Sequence, residues 1–326
     1  MMLLHRRNLA FVVTALAGGA SQANAQPADR GGKPLRILVG FPPGGTSDSL
    51  ARVIATAITA DLGRPVIVEN KPGANGNLAA AEVARAPGDG LTLYIGSFNN
   101  PVNHAARREL PFDFMRDFAP VALIATVPNV LIVNKRVPAQ DVRELIALAK
   151  KTPGKLTFAS AGAGSSLHMA GELFKHAGML DMVHVPYKGS APALADLMGG
   201  HVDMIFDNLP SATPLIRAGE VRALAVTGAS RAPSLPELPT VAEAALPGFD
   251  VTSFFAFFAP AGTSPAMIRQ VNTATNAALA KPEIRATLAG LGAEPAPGAP
   301  EDLRALTERE VEKWREVIQR AHIQLE

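Results

Sequence analysis

The chain contains no cysteine among its 326 residues. This absence excludes a disulfide framework, thiol nucleophiles and thiolate metal sites. Hydrophobic residues make up 48% of the sequence, and the length allows two medium domains or one large one. Ordinary packing of apolar side chains must therefore stabilise the fold.

Aromatic residues and metal-ligating motifs are also scarce. The chain has one tryptophan, Trp314, and two tyrosines, so few rings are available as stacking platforms for a sugar. Its seven histidines are scattered, without a His-Glu-x-x-His motif or a pair four residues apart. We expect no metal and no cofactor.

Runs of basic residues are missing from the body of the chain. The formal net charge of +2 comes from Arg6 and Arg7, because the remainder carries equal numbers of acidic and basic residues. Such a balance lacks the basic surface on which nucleic-acid binding depends. We expect no nucleic-acid partner.

Residues 1–25 have the features of an export signal. A basic start that includes Arg6 and Arg7 precedes an apolar stretch at 9–20, and Ala23-Asn24-Ala25 forms a small-x-small cleavage site. The apolar stretch is too short to span a bilayer, which argues against a membrane anchor. We predict cleavage after Ala25 and a location outside the cytoplasm.

From residue 35 onward, strand-like runs alternate with helical periodicity. Two β-α-β-α-β sets result, each typical of a parallel sheet with helices on both faces. A proline-rich segment at 228–248 then leads to a further strand and two helices. The sequence predicts an α/β fold of two wound lobes, lobe 1 at 26–125 plus 229–326 and lobe 2 at 126–228.

Two glycine-rich turns each join a strand to a helix. The first contains Gly44, Gly45, Thr46 and Asp48, and the second contains Gly164, Ser165, Ser166 and His168. Each turn aims backbone N–H groups, a positive helix end and hydroxyls at one point, which suits an anion. Two such turns in different parts of the chain indicate a ligand held at both ends.

Ligands of wound sheets bind beyond the carboxyl ends of the strands. This rule adds three further segments to the two turns, with Ser97, Asn99 and Asn100 as predicted ligand contacts in one of them. The full set of candidate segments is 43–48, Ser97–Asn100, 162–168, Tyr187–Ser190 and Asp207–Asn208. Most of them supply neutral donors, which hold a carboxylate yet allow its release.

Several residues in these segments have a structural interpretation beside the functional one. Asp48 suits the first turn of a helix, where a carboxylate complements the dipole. His168 is either a hydrogen-bonded structural histidine or a ligand contact, and Asp207 either accepts from a ligand or caps the next helix. Neither turn is a phosphate loop with Gly-Lys-Ser/Thr, and neither is a Gly-x-Ser-x-Gly nucleophile elbow.

The ordered motifs of the chain resemble those of the tripartite tricarboxylate transporter substrate-binding proteins, the Bug family of periplasmic receptors. The resemblance covers essentially the whole mature chain. The motifs that carry it include ILVGFPPGGTSD, VIVENKPGANGNLAAAEVARAPGDG, LTFASAGAGSSLH, VPYKGSAPALADLMGGHVDMIFDN and FAPAGTSP.

The resemblance implies a type II periplasmic-binding fold, in which two α/β lobes joined by hinge strands close on a small organic anion. It assigns the carboxylate grip to Gly44, Gly45, Thr46 and Asp48 and to Ser165, Ser166 and His168. It also places Asp207 at the variable end of the ligand. The membrane subunits of such a transporter are the implied partners, and we expect a monomer.

Two segments depart from the family pattern. The ligand loop after the third strand reads Asn99-Asn100-Pro101-Val102-Asn103-His104, which leaves the substrate open, and Phe254-Phe255-Ala256 replaces a Trp-x-Gly motif. We interpret the second change as one of packing.

The leading hypothesis is therefore a non-enzymatic carboxylate receptor. Two alternatives remain: an exported serine hydrolase that uses Ser166 and His168, and a ligand sensor that docks to a signalling partner.

Overall fold

The computed structural model describes residues 32–106 and 109–325. The predicted export signal, with its cleavage site after Ala25, lies outside these residues. Within the described residues, no helix has both the length and the apolar character needed to cross a membrane.

The described part of the chain contains ten strands. In chain order they are β1 Leu35–Val39, β2 Val66–Asn70, β3 Thr92–Ser97, β4 Phe118–Val133, β5 Thr157–Ser160, β6 Val183–Pro186, β7 Met204–Asn208, β8 Arg222–Val226, β9 Thr252–Pro260 and β10 Glu294–Pro295.

The same residues form twelve α-helices and one 3-10 turn, Ala74–Gly76. The helices are α1 Thr46–Leu62, α2 Asn77–Ala84, α3 Asn99–Ala105, α4 Phe114–Asp117, α5 Val142–Lys151, α6 Ser166–Gly178, α7 Ser190–Gly199, α8 Leu209–Arg217, α9 Val241–Ala244, α10 Pro265–Ala280, α11 Pro282–Leu291 and α12 Pro300–Arg320.

The strands hydrogen-bond in the order β2-β1-β3-β9-β4-β7-β5-β6, with β8 and β10 also paired to β4. Strand β1 runs parallel to β2 and β3, and β5 runs parallel to β6 and β7. The two parallel groups lie on either side of the antiparallel pair β9–β4. The α/β class is confirmed, and each of the two predicted sets contains a parallel group, whereas β9, which lies outside both sets, enters antiparallel between β3 and β4.

Strand β4 belongs to both halves of this arrangement. Its residues 118–128 pair with β9, and residues 129–133 pair with β7 and β8. The strand is long and almost entirely buried, which explains its continuous apolar sequence. The division into lobes at 26–125 plus 229–326 and at 126–228 stays a prediction.

Helix α3 was not predicted from the sequence. The segment after β3 was expected to be a ligand loop, and it contains Pro101. The proline is the third residue of α3, a first-turn position whose N–H has no intrahelical partner, so a proline is tolerated there. Asn99 and Asn100 therefore lie at the start of a helix, directly after the end of β3.

Candidate functional site

A cavity lies beyond the carboxyl ends of β1, β3, β5 and β7. Hydroxyl, amide and apolar side chains share its wall, and none of the lining residues, all of them in the described part of the chain, is charged. They are Phe41, Gly45, Thr46, Ser47, Ser97, Phe98, Asn99, Ala161, Ser165, Ser166, Leu167, Ser190, Asn208, Ser253 and Phe255.

Four helices of nine or more residues begin at this cavity, counted over the described residues. Helices α1, α6 and α8 are preceded by Gly45, Ser165 and Asn208, and Ser190 is the first residue of α7. The first N–H groups of a helix have no intrahelical partner, and they form its positive end. These helix ends therefore bring partial positive charge to the cavity without a lysine or arginine in its wall.

Asp48 shapes the first turn from behind. Its carboxylate accepts from the N–H of Gly44 at 3.0 Å, from Arg52 Nε at 3.0 Å and from Asn70 Nδ2 at 2.9 Å. Burial alone would raise the pKa of Asp48, but the hydrogen bonds from Arg52, Gly44 and Asn70 outweigh it and lower the pKa. The carboxylate is thus charged and neutralised by Arg52, and it fixes the backbone of Gly44.

His168 has the same role in the second turn. Its Nδ1 accepts from the N–H of Gly164 at 3.2 Å, and its own N–H donates to Ser165 Oγ at 3.2 Å. Gly162 and Gly164 both have positive φ, +114° and +82°, which the sharp path of the turn requires. His168 is 3% exposed and lies behind the turn.

A second histidine supports this turn from the neighbouring strand. The rings of His168 and His184 lie 4.1 Å apart between centroids, and His184 also stacks on Phe158 at 4.9 Å. His184 Nε2 is 2.6 Å from Ser160 Oγ. Burial, and next the charge of Lys175, lower the pKa of His184 to about 4. The stack behind the turn therefore contains a neutral His184 at neutral pH.

Ser166 belongs to a buried amide network. Asn129 Nδ2 donates to Ser166 Oγ at 3.2 Å and to the carbonyl of Phe206 at 2.7 Å. Asn208 Nδ2 donates to Asn129 Oδ1 at 2.7 Å and to Ser253 Oγ at 3.1 Å. A carbonyl only accepts, so the Phe206 contact fixes which side of the Asn129 amide faces Ser166.

Asp207 lies directly behind the cavity wall rather than in it. Its carboxylate is fully buried and accepts from Ser190 Oγ and Ser211 Oγ, each at 2.7 Å. Burial raises its pKa to about 6, against the opposing effect of these hydrogen bonds. Ser211 Oγ also lies 3.2 Å from Thr46 Oγ1, so the network reaches the first turn.

The segment after β3 completes the wall. Ser97 Oγ donates to Asn99 Oδ1 at 2.6 Å, and Asn99 Nδ2 donates to the carbonyl of Asn75 at 2.7 Å. Asn75 Nδ2 in turn donates to the carbonyl of Ala163 in the second turn at 2.8 Å. Asn100 is buried behind the wall, where its Oδ1 accepts from the N–H of Ser97.

The structure divides the twelve predicted site residues into two groups. Six line the cavity: Gly45, Thr46, Ser97, Asn99, Ser165 and Ser166. The other six hold those in place from behind or within the turns: Gly44, Asp48, Asn100, Gly164, His168 and Asp207. Contact of any of them with a ligand stays a prediction.

Sequence reasoning missed three contributors from the strands. Asn129 is completely buried in β4, and the signal for it was a polar side chain inside an apolar run. Ser253 and Phe255 project from β9 into the cavity wall. Phe255 was interpreted as a packing residue, and it also faces the cavity because alternate residues of a strand point to the same face.

Solved structures with this mixed α/β fold include a periplasmic binding protein and two proteins that hold carboxylates. A Rhodopseudomonas palustris protein, Rpa4515 with adipate, is 40% identical with a TM-score of 0.86, over 89% of this chain and 97% of that one. The periplasmic binding protein BugD is 33% identical with a TM-score of 0.86, over 89% and 98%. MatC from the same Rhodopseudomonas species, with bound malate, is 34% identical with a TM-score of 0.84, over 87% and 98%.

A family model described as "Tripartite tricarboxylate transporter family receptor" matches residues 50–323. The chain belongs to this family. Among curated proteins, the "UPF0065 protein in tcbD-tcbE intergenic region" of Pseudomonas sp. (strain P51) is 42% identical over 96% of this chain and 93% of that one.

The family and its solved members are solute-binding receptors and not enzymes. The hydrolase alternative that used Ser166 and His168 is therefore wrong. The geometry gives the physical reason, since Ser166 Oγ accepts from Asn129 while His168 Nδ1 accepts from the N–H of Gly164.

Proposed function

We propose that this protein is a periplasmic receptor that binds a small organic carboxylate and delivers it to the membrane subunits of a tripartite tricarboxylate transporter. The observation that carries the proposal is the meeting of the N-termini of α1 and α6 in a cavity whose described wall has no charged side chain. Relatives of known structure hold adipate and malate, both of them carboxylates.

The turns before α1 and α6 are the proposed seat of the carboxylate. No acidic residue occurs in the first turn of α6, and the one acid in the first turn of α1, Asp48, is paired with Arg52. The partial positive charge of both helix ends therefore remains available to a ligand. Backbone N–H groups and the hydroxyls of Ser165 and Ser166 would donate to the two carboxylate oxygens.

A neutral donor set also suits a receptor that must release its ligand. A salt bridge in a closed cavity binds tightly and leaves a costly unpaired charge when the ligand departs. Hydroxyl and amide donors return to water at lower cost. This difference favours reversible transfer to a membrane partner.

Calorimetric titration against monocarboxylates, dicarboxylates, tricarboxylates, aromatic acids and amino acids tests the proposal. We expect at least one carboxylate to bind, and the combined change of Ser165→Ala and Ser166→Ala to weaken binding by about 1–3 kcal/mol. Ser264→Ala is the matched control, because Ser264 Oγ also accepts from a helix N–H, that of Met267, at the exposed start of α10. It should leave the affinity unchanged.

Failure of every carboxylate to bind would overturn the proposed function. Unchanged affinity in the double serine variant would overturn the assigned seat. Delivery has a separate test, in which the ligand-loaded protein is used to capture the transporter's membrane subunits. Capture of a signalling partner in their place would favour the sensor alternative.

A further inference from the structure

We propose that Asp207, acting through Ser190 and Ser211, makes one side of the cavity select ligands that carry a hydrogen-bond donor in addition to the carboxylate. This inference rests on the proposed function and concerns the part of the ligand away from the turns before α1 and α6. The relevant wall lies at the start of α7 and α8.

The direction of the serine hydroxyls follows from the chemistry of Asp207. An ionised carboxylate only accepts, and a serine has a single hydroxyl hydrogen. Ser190 Oγ lies 2.7 Å from both Asp207 oxygens, so its hydrogen points at the carboxylate. Ser190 lines the cavity and therefore presents lone pairs to a ligand.

The same constraint passes through Ser211 to the first turn. Two acceptors lie within reach of the Ser211 hydroxyl hydrogen, Asp207 Oδ2 at 2.7 Å and the carbonyl of Asn208 at 3.0 Å. Whichever of them receives the hydrogen, none is left for Thr46. In the 3.2 Å contact between Thr46 and Ser211, Thr46 must then be the donor. The Thr46 hydroxyl consequently also presents lone pairs to the cavity.

The opposite wall has the reverse polarity. Ser166 Oγ accepts from Asn129 Nδ2, and Ser165 Oγ accepts from the N–H of His168. Each of these hydroxyls accepts within the protein, and its own hydrogen is left for a ligand. One cavity therefore combines a wall that donates hydrogens with a wall that accepts them.

Charge reinforces this difference. The first residues of α7 and α8 would by themselves attract a second anion, but the Asp207 carboxylate already lies at both helix starts, bonded to Ser190 and next to Asn208. A second ligand carboxylate near Ser190 would meet lone pairs and a buried negative charge. A ligand hydroxyl or ammonium group would meet acceptors.

The test compares straight-chain acids that differ only at the far end. The acids are butanoate, pentanoate and hexanoate, and each is titrated by calorimetry at about pH 7.5 in four forms. The forms carry a methyl, hydroxyl, amino or carboxyl group at the end of the chain away from the first carboxylate. At the chain length that binds best, we expect the hydroxy or amino acid to bind about tenfold or more tightly than the dicarboxylate.

Two variants assign the preference to the proposed residues. In Asp207→Asn, the amide N–H₂ has to donate to Ser190 or Ser211, and that serine then points its hydroxyl hydrogen at the cavity. The preference for the hydroxy or amino acid over the dicarboxylate should therefore fall about fivefold or more. Ser190→Ala removes one acceptor from the cavity wall together with its hydrogen bond to the Asp207 carboxylate, and it should lower affinity for the hydroxy acid. Asp203→Asn is the matched control, because Asp203 is also largely buried but bonds to Thr157 and Arg136.

Each outcome has a distinct meaning. Carboxylate binding with tighter binding of the dicarboxylates at every length would overturn this inference and leave the proposed function standing. An undiminished preference in both Asp207→Asn and Ser190→Ala would also overturn it. Binding of none of the twelve compounds, together with failure of the wider carboxylate panel, would overturn the proposed function and this inference with it.

Discussion

Asp207 shows how a buried carboxylate shapes a site that it does not enter. It is completely buried, and its two oxygens receive the hydroxyls of Ser190 and Ser211. The hydrogen bonds only partly offset the loss of hydration, since burial still raises the pKa of Asp207 to about 6. The charged form is therefore retained at neutral pH at a cost in stability.

This cost predicts a pH dependence of unfolding. The folded-state pKa of Asp207 is raised from 3.8 to about 6, so between these values the folded protein binds a proton that the unfolded chain releases. The contribution of Asp207 to the free energy of unfolding is then full below pH 3.8 and is lost as the pH rises through about 6. The loss amounts to about 2 kcal/mol between about pH 4.5 and about pH 7.5.

Urea unfolding of the unmodified protein and of Asp207→Asn over this pH range measures the effect as the difference between their free energies of unfolding. His184 has the opposite dependence, because its lowered pKa removes stability as the pH falls from 6.5 towards about 4. His184 is present in both proteins, so its contribution cancels. A difference that does not change with pH would contradict the raised pKa of Asp207.

The sequence indicated which residues surround the site but not what each one does. Ser165, Ser166 and Thr46 were predicted from turns that pair hydroxyls with helix starts, and all three line the cavity. Asp48 and His168 lie in the same turns yet bond to backbone and side chains behind the wall. That distinction depends on tertiary partners, such as Asn70 for Asp48, which local sequence does not specify.

At the scale of elements, the site is made by helix starts that glycine turns allow to come close together. Gly164 has a φ of +82°, and a Cβ added there would lie 2.9 Å from Asn103 Oδ1. The turn that precedes α6 therefore needs glycine for its conformation and for its close approach to α3. Both requirements act on the proposed seat of the carboxylate.

We predict that Gly164→Ala lowers both the stability and the carboxylate affinity. Gly248→Ala is a close control, since Gly248 has the same φ of +82° but no atom within 4 Å of an added Cβ. Each variant should lose about 1–2 kcal/mol of unfolding free energy from backbone strain. Only Gly164→Ala should also bind the ligand more weakly, by about tenfold, because the second turn must move.

Urea unfolding and calorimetric titration of the two variants measure both quantities. Equal affinities in Gly164→Ala and Gly248→Ala would show that the path of the second turn does not matter for binding. A stable Gly248→Ala protein beside a strongly destabilised Gly164→Ala protein would assign the additional loss to the contact with Asn103.

At the scale of the whole molecule, the sequence predicted the α/β class and most elements but not the sheet order. Helical and strand periodicity is local, and it indicated the alternation of strands and helices that begins at residue 35. The pairing of β9 between β3 and β4 joins segments more than a hundred residues apart. No local pattern encodes such a contact, and the proline-rich segment before β9 showed only that a return was expected.

The buried contacts across β4 explain why the site depends on this topology. Thr227 Oγ1 donates to the carbonyl of Val251 at 2.6 Å and accepts from the N–H of Asn129 at 2.9 Å. The end of β8, the interior of β4 and the approach to β9 thus meet beside the amide network that positions Ser166. The polar core of the site is built where the long-range strand pairing brings these segments together.

Amide NMR spectra during a carboxylate titration test the proposed seat most directly, with malate as the ligand and adipate if malate does not bind. We predict that the largest downfield shifts of amide protons occur at Thr46 and Ser47 in α1 and at Ser166 and Leu167 in α6, because these N–H groups would donate to the bound carboxylate. The amides of Ala266 and Met267 at the start of α10 should not shift. Binding with its largest shifts away from the starts of α1 and α6 would contradict the assignment of these two helix ends as the carboxylate site.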